Sequence, residues 1–169
     1  MLTRKKILDR AALASEVARR RAAGQRMVFT NGCFDLFHVG HARYLDAARQ
    51  LGDYLVVAMN SDASTARLKG LERPILPQDQ RARILASFAV VDLVTIFDED
   101  DPKPLLHLLR PEVLVKGGNY GVEGVVGREM VEAYGGAVLT MALTEGASTT
   151  NLVETILRKS DALPRDYSG

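Results

Sequence analysis

Two histidines three residues apart, His38 and His41, stand in the stretch "FTNGCFDLFHVGHARYL" (29–45), with Gly32, Asp35 and Gly40 around them. Residues of these types at this spacing suit a metal pair, an acid–base pair or a phosphate cradle. A metal pair needs a third ligand, and neither an HExxH-like arrangement nor a cysteine partner supplies one. No metal ligand is therefore assigned to a protein side chain. Three residues apart on a helix, the two rings share a face with Cβ atoms roughly 5–6 Å apart, and Gly40 between them leaves room for a ligand near the backbone. An apolar run, a glycine turn and a helix start also present backbone N–H groups and a positive dipole end to an anion. The plainer alternative is a histidine cap at the helix start with Asp35 bracing the turn. The phosphate reading gains from position, because the imidazoles stand where the backbone donors are and can follow charge that builds on phosphoryl oxygens.

Such a loop must be held at the end of a strand. Short apolar runs at 26–30, 54–60, 93–97, 112–116 and 137–143 have strand length, and most are too continuously apolar for a sheet with one wet face. Segments of helical period near 8–23, 39–51, 77–88, 102–109, 124–134 and 148–159 separate them. Alternation of this kind predicts an α/β fold, a Rossmann-like doubly wound parallel five-stranded sheet with helices on both faces. Gly24 after the first helix, Pro77 at a helix start and Gly135-Gly136 after the fifth helix mark boundaries. Ligands of such sheets sit beyond the carboxyl ends of the strands, which directs attention to 30–41, 60–73, 116–128 and 143–151.

The chain has 169 residues, with 22 Lys+Arg against 21 Asp+Glu and a net charge of +1. That length suits one domain, placed at 1–159 with an N-terminal helix (1–24) ahead of the first strand and a polar tail at 160–169. The charge balance is not that of a protein for nucleic acid or membrane surfaces, so neither is expected as a partner. A single cysteine, Cys33, rules out an internal disulfide framework, and the N-terminus lacks an apolar run for a signal or a membrane span. A cytoplasmic protein is expected.

The stretch "GCFDLFHVGH" resembles the G-x-F-D-x-x-H-x-G-H signature of the cytidylyltransferase-like nucleotidyltransferases, and "TEGASTTNL" (144–152) resembles their C-terminal S-T-T helix start. The resemblance runs over roughly 25–158 and carries the HIGH-type nucleotidyltransferase fold with it. Within that family, "NSDASTARLKGLERPILPQDQRARIL", "VDLVTIFDEDDP", "LLRPEVLVKGGNY" and "VVGREMVEAYGG" look like the adenylyltransferase branch of ADP-heptose synthesis, often fused to a sugar kinase and here expected in stand-alone form. The implied reaction is transfer of AMP from ATP, accompanied by Mg2+, to D-glycero-β-D-manno-heptose 1-phosphate. It gives ADP-heptose and pyrophosphate for the lipopolysaccharide core. A homodimer or larger homo-oligomer is implied as well.

The same resemblance assigns roles. His38 and His41 contact the triphosphate, and with Lys69 they form the catalytic set. Thr30, Asn31, Gly32, Cys33, Phe34, Asp35, Gly40, Lys116, Thr144, Ser148 and Thr149 are assigned to the nucleotide. Asp35, Arg67, Lys69, Arg81 and Asn119 are assigned to the acceptor, with Arg67 and Lys69 expected on a loop after the second strand and Arg81 facing the phosphates. A sugar 1-phosphate, with a second pKa of about 6, is already mostly dianionic at neutral pH and needs no general base. Two departures stand out. Asn119 occupies a position where the heptose branch more usually has Asp, and Leu143 replaces the arginine that glycerol-phosphate cytidylyltransferases carry before T-E-G. The alternatives are a related small enzyme such as a glycerol-3-phosphate cytidylyltransferase, or a non-catalytic nucleotide-binding module.

Overall fold

The computed structural model describes residues 3–118, 121–141 and 149–160. Five strands, β1 (Met27–Gly32), β2 (Tyr54–Asn60), β3 (Leu93–Phe97), β4 (Val113–Gly117) and β5 (Ala137–Met141), form one sheet in the order β3-β2-β1-β4-β5. Every pairing is parallel: Met27 lies beside Tyr54, Val56 beside Leu93, Val28 beside Val113, and Val113 beside Ala137. Parallel neighbours need crossovers, and these are built from α2 (Val39–Arg49), α3 (Asp62–Lys69), α4 (Gln78–Ser87), α5 (Lys103–Leu109) and α6 (Arg128–Ala133). Helix α1 (Arg10–Ala22) precedes the sheet and α7 (Thr149–Ser160) follows it. The chain steps outward from β1 to β2 to β3, then returns to lay β4 on the other side of β1. The strand order therefore reverses between β1 and β4, where an open α/β sheet leaves a crevice.

Strand periodicity sorts side chains between two apolar layers. Met27, Phe29, Tyr54, Val56 and Ala58 face α1, α5 and α6, packing with Leu13, Val17, Leu105, Leu106, Leu109 and Val131. Their neighbours Val28, Leu55, Val57 and Met59 face α2 and α4, against Leu45, Ala48, Ala82 and Leu85. All seven residues of β2 are buried, which explains its unbroken apolar sequence. The outer strand β5 is half exposed, and α7 buries none of its side chains.

The expected strands and covering helices are present, with one substantial correction. The segment after β2 is not a loop: Asp62–Lys69 forms helix α3, capped by Ser61, whose hydroxyl accepts from Ser64 N at 3.0 Å. Its buried residues are Ser64 and Thr65. A helix that buries hydroxyls rather than hydrocarbons carries no apolar stripe for periodicity to detect. The expected helix at 124–134 is shorter, Arg128–Ala133, because Gly127 takes a left-handed φ of 89° and a 3-10 turn (Val122–Gly124) precedes it. Among the described residues no helix is long and apolar enough to cross a membrane.

Candidate active site

The carboxyl ends of β1, β2 and β4 open into one cavity of about 550 Å³, with Asn31, His38, His41, Lys69, Lys116 and Thr149 among its walls. At the end of β1 the chain turns sharply, and Phe34 sits at a left-handed φ of 47°. A non-glycine residue there is strained by about 1–3 kcal/mol, so something must hold it. The buried Phe34 ring does so, lying 6.2 Å from the Phe37 ring and 5.4 Å from His41.

This turn delivers His38 to the N-cap of α2 with extended backbone (φ −143°, ψ 170°). Its carbonyl accepts from His41 N at 3.0 Å, and its side chain makes no capping bond. The two imidazoles stack with centroids 3.9 Å apart and an interplanar angle of 29°. The Nδ1 atoms of both are buried and find no partner among the described residues. Burial, and then the neighbouring His38, push His41 down to about 4, and burial also lowers His38. The pair is therefore neutral at pH 7, each ring with one N–H to donate. Buried Gly40, in the first turn of α2, adds a backbone N–H that lies too early in the helix for a helical carbonyl to reach.

Lys116 leaves β4 across the switch point. Its Nζ donates to Asn31 O at 2.9 Å and Asn31 Oδ1 at 3.1 Å. Burial pushes the Lys116 ammonium down to about 8; Cys33 opposes that shift and the positive charge of Lys69 adds to it. Such a group gains strongly from a phosphate, which would replace neutral acceptors with an anion. Lys69 ends α3 at the cavity rim, where it is exposed. Thr149 opens α7 and donates from Oγ1 to Leu36 O at 3.1 Å, tying that helix start to the β1–α2 turn.

Other sequence-derived site residues lie elsewhere. Thr30 is fully buried beneath the cavity rather than lining it, and its hydroxyl pairs with Tyr44 Oη at 2.6 Å. Tyr44 in turn donates to Val115 O at 2.9 Å, locking β1 to β4. Arg67 and Lys69 do not act together, since Arg67 points away to Asp98 O and to Asp100 Oδ1, the latter at 2.7 Å. Arg81 is not on the wall of this cavity. Fully buried, it donates to Cys33 O, to Asn60 O at 3.0 Å, to Leu76 O at 2.9 Å and to Asp62 Oδ1 at 2.6 Å. Gly32, Cys33, Phe34 and Asp35 all line the cavity. Asn119, Thr144 and Ser148 lie outside the described residues.

The sequence reading missed Arg73 and Asn60, both on the cavity wall. Asn60 ends β2 and donates to Ser64 Oγ at 2.9 Å, fixing the start of α3. Its place at a strand's carboxyl end was the available signal; Arg73, in "LERPIL", had none.

A family model described as Cytidylyltransferase-like matches residues 29–155. The bifunctional protein HldE of Geobacter sulfurreducens is 55% identical over 153 residues, 90% of this chain and 31% of that protein. The bifunctional protein HldE of Pseudomonas aeruginosa is 53% identical over 152 residues, 90% of this chain and 32% of that one. The chain thus spans about a third of the length of the curated relatives it matches. The crystal structure of the lipopolysaccharide core biosynthesis protein from Thermoplasma volcanium superposes with a TM-score of 0.58 at 28% identity, covering 72% of this chain and 98% of that one. Pantoate-beta-alanine ligase from Francisella tularensis shares the fold, with a TM-score of 0.53 at 15% identity over 96% of this chain and 81% of that one. The family model takes in the β1–α2 turn with its stacked histidines, both sides of the switch point and the start of α7: the chain belongs to the cytidylyltransferase-like family of nucleotidyltransferases.

Proposed function

We propose that the protein transfers AMP from ATP to D-glycero-β-D-manno-heptose 1-phosphate, releasing pyrophosphate and forming ADP-heptose for the lipopolysaccharide core. The observation that carries nucleotidyl transfer is the pair of stacked imidazoles at the start of α2, at the strand switch point, whose buried Nδ1 atoms find no partner among the described residues. The heptose acceptor rests on the likeness to the HldE proteins and to the lipopolysaccharide core biosynthesis protein.

In this reading an oxygen of the acceptor phosphate attacks the α-phosphorus of ATP, a P–O bond forms, and the bond to the bridging oxygen breaks as pyrophosphate leaves. The acceptor is already a dianion, so the site needs no base. Neutral His41, held down at about 4, is a poor proton acceptor but a sound N–H donor. His38, His41 and the first turn of α2 place donors against charge that grows as the bridging bond breaks. Lys116 and Lys69 offset the repulsion between two anions brought together.

Mg2+ belongs to this reading as a companion of ATP and neutralises triphosphate charge. The cavity's carboxylates are engaged: Asp35 with Arg73, Asp100 with Arg67, and Asp101 with Lys103. Among the described residues no group of three His, Cys, Asp or Glu side chains could hold a metal ion. The ion therefore fits as part of the nucleotide substrate, ligated by phosphate oxygens and water. A homodimer or larger assembly, supported by the family resemblance, and a cytoplasmic location, supported by the cysteine usage, complete the proposal.

The test is pyrophosphate release from ATP and heptose 1-phosphate with Mg2+, run beside CTP and glycerol 3-phosphate. Release with the first pair is expected. Release confined to the second pair would replace both the base and the acceptor.

A further inference from the structure

The loop between α3 and α4 is wrapped around one buried carboxylate. Asp35 Oδ1 accepts from Ile75 N at 2.8 Å and Leu76 N at 3.0 Å, while Oδ2 accepts from Arg73 Nε at 2.5 Å. Arg73 N also donates to Gly70 O at 3.0 Å, closing the turn that follows α3. The Asp35 side chain is 2% exposed and that of Arg73 24%. Burial opposes ionisation of Asp35, but the two backbone N–H groups and the Arg73 guanidinium outweigh it and hold the carboxyl below its ordinary range.

A guanidinium has five N–H donors, and Asp35 takes only the one on Nε. Among the described residues neither Nη of Arg73 has a hydrogen-bond partner, although the residue lines the same cavity as His38, His41 and Lys69. The nearby arginines differ. Arg67 spends a terminal nitrogen on Asp98 O, and Arg81 spends both of its own on the protein.

We propose that Arg73 binds the phosphate of the acceptor sugar 1-phosphate, presented from behind by Asp35; this inference rests on the adenylyl-transfer reading above. The histidines assigned to the triphosphate, His38 and His41, stand at the start of α2, whereas Arg73 and Lys69 come from the chain that follows β2. Arg73 thus stands on the side left for the second anion. A planar fork meets phosphate oxygens in pairs, and a side chain already fixed at Nε loses little freedom when they arrive. Because Asp35 belongs to the same turn as Phe34, the acceptor cation is tied to the loop that seats the nucleotide.

The experiment compares wild type, Arg73→Ala and Arg73→Lys in steady-state pyrophosphate release, varying ATP and heptose 1-phosphate separately. Arg73→Ala should raise KM for the acceptor about 30- to 100-fold and leave KM for ATP within about threefold, a split that a merely structural role would not produce. Arg73→Lys should not restore it, since one ammonium cannot hold Asp35 and grip a phosphate in pairs. Arg73→Ala strands a buried carboxylate, so Asp35→Asn/Arg73→Ala removes both charges together and should show the same acceptor defect in a stable fold. A rise in KM for ATP alone, or no change in either KM, overturns the proposal.

The second arm is calorimetric titration of inorganic phosphate in the presence of a non-hydrolysable ATP analogue. Wild type should bind at least about tenfold more tightly than Arg73→Ala. Equal binding, or none by wild type, also overturns the proposal. If wild type turns over ATP only with another acceptor, the heptose assignment fails while this titration still decides the role of Arg73.

Discussion

His41 and Arg81 are both polar side chains beside the carboxyl end of β1, and both come from segments that resemble family motifs. Their surroundings are opposite. Every nitrogen of Arg81 donates to the protein, joining Cys33 beyond β1, Asn60 of β2, Leu76 before α4 and Asp62 of α3. His41 is packed by Phe34, Phe37 and His38, and its buried Nδ1 finds no partner among the described residues. Residue type and nearness to the cavity are the same in kind. Under the proposed reaction, hydrogen-bond satisfaction separates a group that builds the site from one held ready for a ligand.

Arg81→Met puts that distinction under its severest strain. The substitution leaves three carbonyls without donors in a buried place, at a cost on the order of 3–5 kcal/mol of stability in urea unfolding. Any fall in activity should follow the loss of folded protein. A stable Arg81→Met that binds ATP poorly would instead move Arg81 to the ligand side of the comparison.

His41→Ala should behave in the reverse way. Loss of a donor aimed at transition-state charge lowers kcat about 10²- to 10³-fold and changes KM for ATP little. Equal damage to ATP binding would make His41 a ground-state anchor.

Acid sharpens the same contrast through stability. His41 titrates at about 4 when folded against 6.5 as a free side chain, so over that window the unfolded chain binds a proton that the folded chain declines. Stability therefore falls as pH drops from about 6.5 toward 4, by up to about 3 kcal/mol. Urea unfolding at pH 7, 5.5 and 4.5 measures it, and His41→Ala should lack this part of the slope.

The sheet was legible because its signal is simple. Strands in a doubly covered parallel sheet are apolar throughout, and β2 and β3 were read to the residue, at 54–60 and 93–97. Helix α3 was hidden because it buries Ser64 and Thr65, and with it went the distinction between Arg67 and Lys69. In the site, the placing of His38 and His41 side by side at a helix start on the cavity wall was legible from spacing and a glycine turn. Thr30 and Arg81 were placed on the ligand because the sequence shows a residue's type and not its hydrogen-bond partners. Arg73 was invisible for the complementary reason: its role depends on a carboxylate 38 residues earlier in the chain.

Thr149 lies between the two extremes and should give the smallest effect. Its hydroxyl donates to Leu36 O at 3.1 Å, so it is spent on the protein like Arg81, yet it stands on the cavity wall like His41. Thr149→Val keeps the shape and loses one neutral hydrogen bond, about 0.5–1.5 kcal/mol, or a two- to tenfold change in whatever equilibrium that bond controls. If the bond serves to hold the start of α7 against the β1–α2 turn, the change appears as a rise in KM for ATP with kcat almost intact, and Thr149→Ser restores the wild-type value. If the hydroxyl turns to the nucleotide as ATP binds, Leu36 O loses its donor at that moment, and kcat falls with KM. The division of the loss between kcat and KM therefore reports on which side of the comparison Thr149 stands once ATP is bound.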